Sequence, residues 1–182
     1  MRGVFYLSRA KFASAQPTGH HVASNHFDAQ GNARMVDVSA KAISVRKAVA
    51  VACVTMSTET AGVVRTGTSK KGDVLAVARL AAINATKWTA HLIPLCHTIP
   101  IESVDVDFSW KETSDQTDTL QCRVTCQTTG KTGIEMEAMT GATVGALTVY
   151  DMLKSVERGI EIHQVKLTHK SGGATGDYER ES

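Results

Sequence analysis

Between residues 46 and 167 the apolar residues change period several times, and each change marks an element. Arg46 to Met56 alternates Val49, Val51 and Cys53 with small alanines, the pattern of a strand buried on both faces. Ser57 with Glu59 behind it predicts a short helix stopped near Gly67. From Asp73 as N-cap, Val74, Val77, Leu80, Ala81 and Ala85 recur at helical spacing, and the alanines favour a long helix reaching towards Leu92. Val104, Val106, Phe108 and Trp110 then alternate with polar residues, as do Leu120, Cys122, Val124 and Cys126. These are two half-buried strands joined by the polar connector Lys111 to Asp118, hence an antiparallel hairpin with both thiols on the core face. Met139, Ala142, Ala146, Val149, Leu153 and Val156 form one stripe of a long helix, and Ile162, Val165 and Leu167 suggest a last strand.

With the two helices after the first strand counted as one connection, the order reduces to a split βαβ pattern. The predicted class is α+β, a ferredoxin-like antiparallel sheet packed against helices. Gly141 and Gly145 lie inside the long helix, each costing about 1 kcal/mol relative to alanine. They point to close approach of another helix or another subunit.

The composition narrows the classes. With 42% hydrophobic and 21% charged residues in 182, the chain is an ordinary globular protein of one domain. Ala138 to Tyr150 is an uncharged stretch short of the roughly 18 apolar residues that cross a bilayer, so no membrane partner is expected. Twenty basic against eighteen acidic residues are too balanced for a nucleic-acid field. At 5% aromatic residues, with none in an RNP-type run, an RNA-binding module is disfavoured too. Cys53, Cys96, Cys122 and Cys126 contain no CxxC, so neither a redox motif nor a zinc site is suggested and a reducing compartment is the default. The first acidic residue is Asp28, preceded by Arg2, Arg9, Lys11 and several serines. Residues 1–23 therefore read as a disordered extension or a transit peptide, and residues 24–182 as a single domain. The expected location is the cytoplasm, or the mitochondrial matrix in the transit-peptide case.

Several groupings mix charge with loops, each with a plain structural alternative. Lys70-Lys71-Gly72-Asp73 puts ammonium groups before a helix N-terminus, an anion site or a solvated basic loop. His97, in the proline-bracketed run His91 to His97, is a residue type that exchanges protons near neutral pH or simply a structural loop histidine. Thr129-Gly130-Lys131-Thr132-Gly133 fails as a phosphate loop because Thr125 stands where the first glycine belongs. Glu135 and Glu137 share a side only in an extended chain. They then suit the amino edge of a purine, and otherwise they are acids of a helix's first turn. Asp151 and Lys154 at i and i+3 make an ordinary surface pair. Lys170 precedes a glycine-rich turn, an anion-binding concavity or a frayed tail. The residues thus permit a phosphate-rich small-molecule site without naming the substrate. A non-catalytic oligomerisation or nucleotide-binding module stays open.

Six ordered motifs carry a resemblance: Met35-Val36-Asp37-Val38-Ser39, Lys71-Gly72-Asp73-Val74, Leu92 to His97, Lys131 to Ala138 (KTGIEMEA), Leu147 to Lys154 and Lys170 to Asp177. From about Asn25 to Tyr178 the chain resembles the cyclic pyranopterin monophosphate synthase family of molybdenum cofactor biosynthesis. The resemblance implies a lyase that converts 3′,8-cyclo-7,8-dihydroguanosine 5′-triphosphate, supplied by a partner radical enzyme, to the cyclic monophosphate with release of pyrophosphate. It implies a homohexamer, a trimer of dimers, and no cofactor or protein-held metal, Mg²⁺ with the triphosphate being permitted but not implied. Carried over by motif, Asp151, Lys154, Lys71 and His97 are the catalytic positions, with Asp151 the acid/base. Leu95, Cys96, His97, Glu135, Met136, Glu137 and Lys170 contact substrate. Lys154 beside Asp151 is expected to be a lysine of lowered pKa. Glu137 and Asp151 lie fourteen residues apart, about 20 Å if the chain between them is helical. Either the chain folds back, or the site is shared between subunits.

Overall fold

The computed structural model describes residues 26–28, 30–112, 116–173 and 176–181. The extension 1–23 and Ala174 and Thr175 of the glycine-rich turn lie outside the described residues. Nine elements follow in the order β1 (Ser44–Ser57), α1 (Thr58–Thr66), α2 (Val74–Lys87), α3 (Thr89–Leu92), β2 (Ser103–Glu112), β3 (Thr117–Gly130), α4 (Glu135–Leu153), β4 (Glu161–Ser171) and β5 (Tyr178–Glu179). The strands form one antiparallel sheet in the order β2-β3-β1-β4-β5. This is the α+β arrangement the alternation predicts, consistent with a ferredoxin-like fold.

The alanine-rich centre of β1 explains how the layers meet. Ala48, Ala50, Ala52 and Val54 face the helices and are fully buried, opposite Cys126, Val124, Cys122 and Leu120 of β3. Small side chains on the sheet let α4 lie close, with Ala138, Ala142, Ala146 and Val149 completing the core at 0% exposure. Burial pushes the thiols of Cys122 and Cys126 up to about 12. They are inert packing residues, as expected for buried cysteine. A Cβ on Gly141 would lie 2.9 Å from Thr86 Cγ2 and 3.2 Å from the Ala82 carbonyl, and one on Gly145 2.9 Å from Cys122 Sγ. Both glycines therefore serve contacts of α4 with α2 and β3 inside one chain. A two-fold interface is not what requires them.

The helix boundaries obey local chemistry. Ser57 caps α1 by accepting from the Thr60 amide, and Gly67 ends it in the left-handed region at φ 67°, where glycine carries no Cβ penalty. Asp73 caps α2 by accepting from the Ala76 amide. The helix expected to reach Leu92 breaks at Trp88. Thr86 donates to the Ile83 carbonyl and Thr89 to the Thr86 carbonyl, bonds that compete with the helical ladder. Leu92 is left exposed in the separate turn α3. Val156, expected on the α4 stripe, lies beyond the helix end and is exposed. In β4 the register against β1 shifts twice, with Gln164 at φ 51°. That bulge turns Val165 outward. No helix is long and apolar enough to cross a membrane.

Candidate functional site

Helix α4 is continuous from Glu135 to Leu153, so the chain does not fold back between the two groups of site residues. At about 1.5 Å per residue, Glu137 and Asp151 stand roughly 20 Å apart along the axis. The structure gathers His97, Leu95, Cys96, Glu135, Met136, Glu137 and Lys170 around the N-terminal end, and Lys71, Asp151 and Lys154 around the other.

The N-terminal group surrounds two adjoining cavities. The larger, about 510 Å³, is lined by Lys41, Arg46, Lys47 and Lys170 with Gly172 and Gly173. The smaller, about 290 Å³, is lined by His26, Val36, Leu95, Cys96, His97, Met136 and Glu137, and the two share Lys41, Thr132, Gly133 and Glu135. Four cations thus face one carboxylate in the larger cavity, with Lys170 Nζ 3.5 Å from Glu135 Oε1. That balance suits a polyanion.

Glu135 and Glu137 are acids of a helical first turn, so the extended, same-side arrangement is not the one adopted. The helix sends them different ways. Glu135 stays at the mouth beside Lys170, whereas Glu137 is 3% exposed and its Oε2 has no hydrogen-bond partner among the described residues. Burial, with the Glu135 charge adding to it, raises the Glu137 carboxyl to about 7. Burial and the Glu137 charge also push the Cys96 thiol up. Glu137 is therefore a carboxyl that can donate or accept a proton near neutrality against the smaller cavity. The motif is visible in the sequence, but its burial is not.

His97 Nε2 lies 2.8 Å from the Val36 carbonyl. A carbonyl only accepts, so Nε2 carries the hydrogen, leaving Nδ1 of the neutral ring as the nitrogen able to accept a proton. The histidine thus also holds main chain in place. Arg46 is not singled out by the sequence, yet it is only 9% exposed, and its Nε donates to the Gly130 carbonyl at 2.9 Å. A single arginine at the entrance of an alternating strand gives no sequence signal. Lys41, Ser44 and Lys47 line the same cavity and were equally silent.

At the far end, Lys154 Nζ is 2.7 Å and Lys71 Nζ 3.5 Å from the Asp151 carboxylate, and Lys71 also donates to the Asp151 carbonyl at 2.5 Å. Lys71 so reaches a carbonyl in the last turn of α4, where a cation is favoured. The hydrogen bond from Lys154, its charge and that of Lys71 hold the Asp151 carboxyl below the ordinary value. The same hydrogen bond holds Lys154 above its ordinary value, opposite to the lowered pKa expected. All three side chains are partly or largely exposed. Among the described residues no group of three or more His, Cys, Asp or Glu is placed to hold a metal ion.

The comparisons with known proteins agree with the motifs. Over 165 residues, 87% of this chain and 94% of the relative, the chain is 57% identical to a protein named cyclic pyranopterin monophosphate synthase from Rhodopirellula baltica. It is 47% identical over 157 residues, 86% of this chain and 96% of the relative, to the protein of the same name from Staphylococcus aureus strain Newman. The MoaC family model matches residues 35–173, a span holding both cavities' motif residues and the Asp151 cluster: the chain belongs to the MoaC family.

Proposed function

We propose that this chain is a cyclic pyranopterin monophosphate synthase of molybdenum cofactor biosynthesis, a lyase acting on 3′,8-cyclo-7,8-dihydroguanosine 5′-triphosphate and releasing pyrophosphate. The observation that carries the reading is the pair of adjoining cavities. One presents four cations, matching a triphosphate. The other combines apolar walls with a thiol, an imidazole and a buried carboxyl, matching a ring that must gain and lose protons on nitrogen and carbon.

In this reading Lys170, Arg46 and Lys41 neutralise the triphosphate through charge-assisted hydrogen bonds. Glu137 and His97 Nδ1 are in place to exchange protons with the ring, and Glu135, Met136, Leu95 and Cys96 form its walls. Asp151 is the acid/base of the family resemblance, with Lys154 and Lys71 as its cationic partners. Because Lys154 is held protonated by Asp151, its role is to donate a proton or stabilise developing negative charge. These three reach the same substrate only from a second copy of the chain. We therefore place each site between two subunits of a homohexamer, with a radical enzyme supplying the substrate.

Incubating the purified protein with the cyclic nucleotide and following pyrophosphate and pterin product tests this. Stoichiometric formation of both is expected. Substrate that persists unchanged would leave a non-catalytic nucleotide-binding module.

A further inference from the structure

The turn Thr129 to Gly133 has the look of a phosphate loop without its first glycine, and the proposed reaction gives its lysine no task. Lys131 Nζ donates to the Ser39 carbonyl at 2.6 Å. Its charge also lies close enough to Asp37 to help lower that carboxyl, behind the Ser39 hydrogen bonds that dominate the shift. Ser39 belongs to residues 35–43, which have neither helix nor strand. Among the described residues, the main chain of this segment is tied to the rest of the fold by two side-chain bonds, Lys131 to Ser39 and His97 to Val36. The other hydrogen bonds there are local, Lys41 N to the Val38 carbonyl and Ser39 N to Asp37 Oδ1. Yet Val36, Val38 and Lys41 form a wall of the smaller cavity, and Lys41 belongs to the larger one as well.

A segment with so few bonds of its own is ordered only as well as its anchors hold it. The anchor turn is itself fixed, since Arg46 donates to the Gly130 carbonyl and Gly130 ends β3. We propose that Lys131 is a positioning residue. It straps residues 36–41 across the two cavities and so holds Lys41 and Val38 where the nucleotide binds, without touching the nucleotide itself. The inference rests on the proposed nucleotide site for its kinetic arm alone.

The test compares Lys131→Met and Lys131→Arg with the wild type in two measurements. Hydrogen exchange of the Ser39 and Lys41 amides in the free protein should speed up about tenfold in Lys131→Met, with exchange in β1 and α4 unchanged, and Lys131→Arg should restore most of the protection. In turnover, KM for the cyclic nucleotide should rise about tenfold in Lys131→Met with kcat within about twofold, and Lys131→Arg should recover to within about threefold. Unchanged exchange at residues 39 and 41, a general speed-up through β1 and α4, or a fall in kcat at unchanged KM would each overturn the proposal. Exchange needs no substrate, so a wild-type protein that fails to turn over the nucleotide would defeat the functional reading while leaving the strap measurable.

Discussion

Replacing Glu137 by glutamine turns a buried, protonatable carboxyl into a neutral group of the same shape, and the consequence for stability depends on pH. In the unfolded chain the carboxyl titrates near its ordinary 4.5, and in the fold near 7. The folded pKa is the higher one, so the fold prefers the protonated form. The wild type then has its full stability below about pH 4.5 and loses it progressively as pH rises through about 7, above which both states are ionised. At about 1.4 kcal/mol for each tenfold change in proton affinity, this shift corresponds to about 3 kcal/mol. For a chain of this size that is roughly 6–12 °C in melting temperature. A glutamine amide at the same place lacks a partner just as Glu137 Oε2 does, but its cost is the same at every pH and cancels in the comparison. The Cys96 and Cys126 thiols are pushed upward and stay neutral through this window. Melting both proteins between pH 4 and 8 should show Glu137→Gln gaining on the wild type as pH rises, with most of the change between 4.5 and 7. A constant difference across that range would refute the argument that Glu137 is a desolvated carboxyl.

Asp151→Asn should abolish most turnover while melting within about 2 °C of the wild type, since the residue is exposed at a helix end. Activity and thermal melts on the same preparation check it. Gly145→Ala should lose about 1–2 kcal/mol by denaturant titration, because a Cβ 2.9 Å from Cys122 Sγ and 3.2 Å from Ala82 Cβ overpacks the contact of α4 with β3 and α2 by more than the gain in helix propensity. Arg46→Gln should weaken binding of inorganic pyrophosphate, measured calorimetrically, about tenfold, with Arg46→Lys intermediate and added salt weakening the wild type.

The strands were legible because β1, β2 and β3 alternate cleanly, and the hairpin register puts Cys122 and Cys126 on the core face as read. The end of α2 was not, because the helical spacing runs on through Thr86 and Thr89, whose hydroxyls turn back onto the main chain. β5 escaped notice because two residues, Tyr178 and Glu179, carry no period. In the site, the motif lysines and acids were visible as residue types, and their partition between the two ends of α4 followed once the helix proved continuous. Arg46 and Lys41 were invisible because single basic residues in an exposed-to-buried transition look like any solvated face. Gly141 and Gly145 were read correctly as marks of close packing, but a sequence cannot say whether the approaching surface belongs to the same chain. Here it is α2.

In the proposed shared site, the N-terminal end of α4 from one chain meets the C-terminal end of α4 from another. Inactive Glu137→Gln and inactive Asp151→Asn proteins, mixed in equal amounts under conditions where subunit exchange is shown directly, test it. If each site takes Glu137 from one subunit and Asp151 from its neighbour, random pairing leaves about a quarter of the sites intact, and the mixture should recover about a quarter of wild-type turnover. A mixture that exchanges fully and stays inactive would place both residues in a site within one chain, contradicting the shared site.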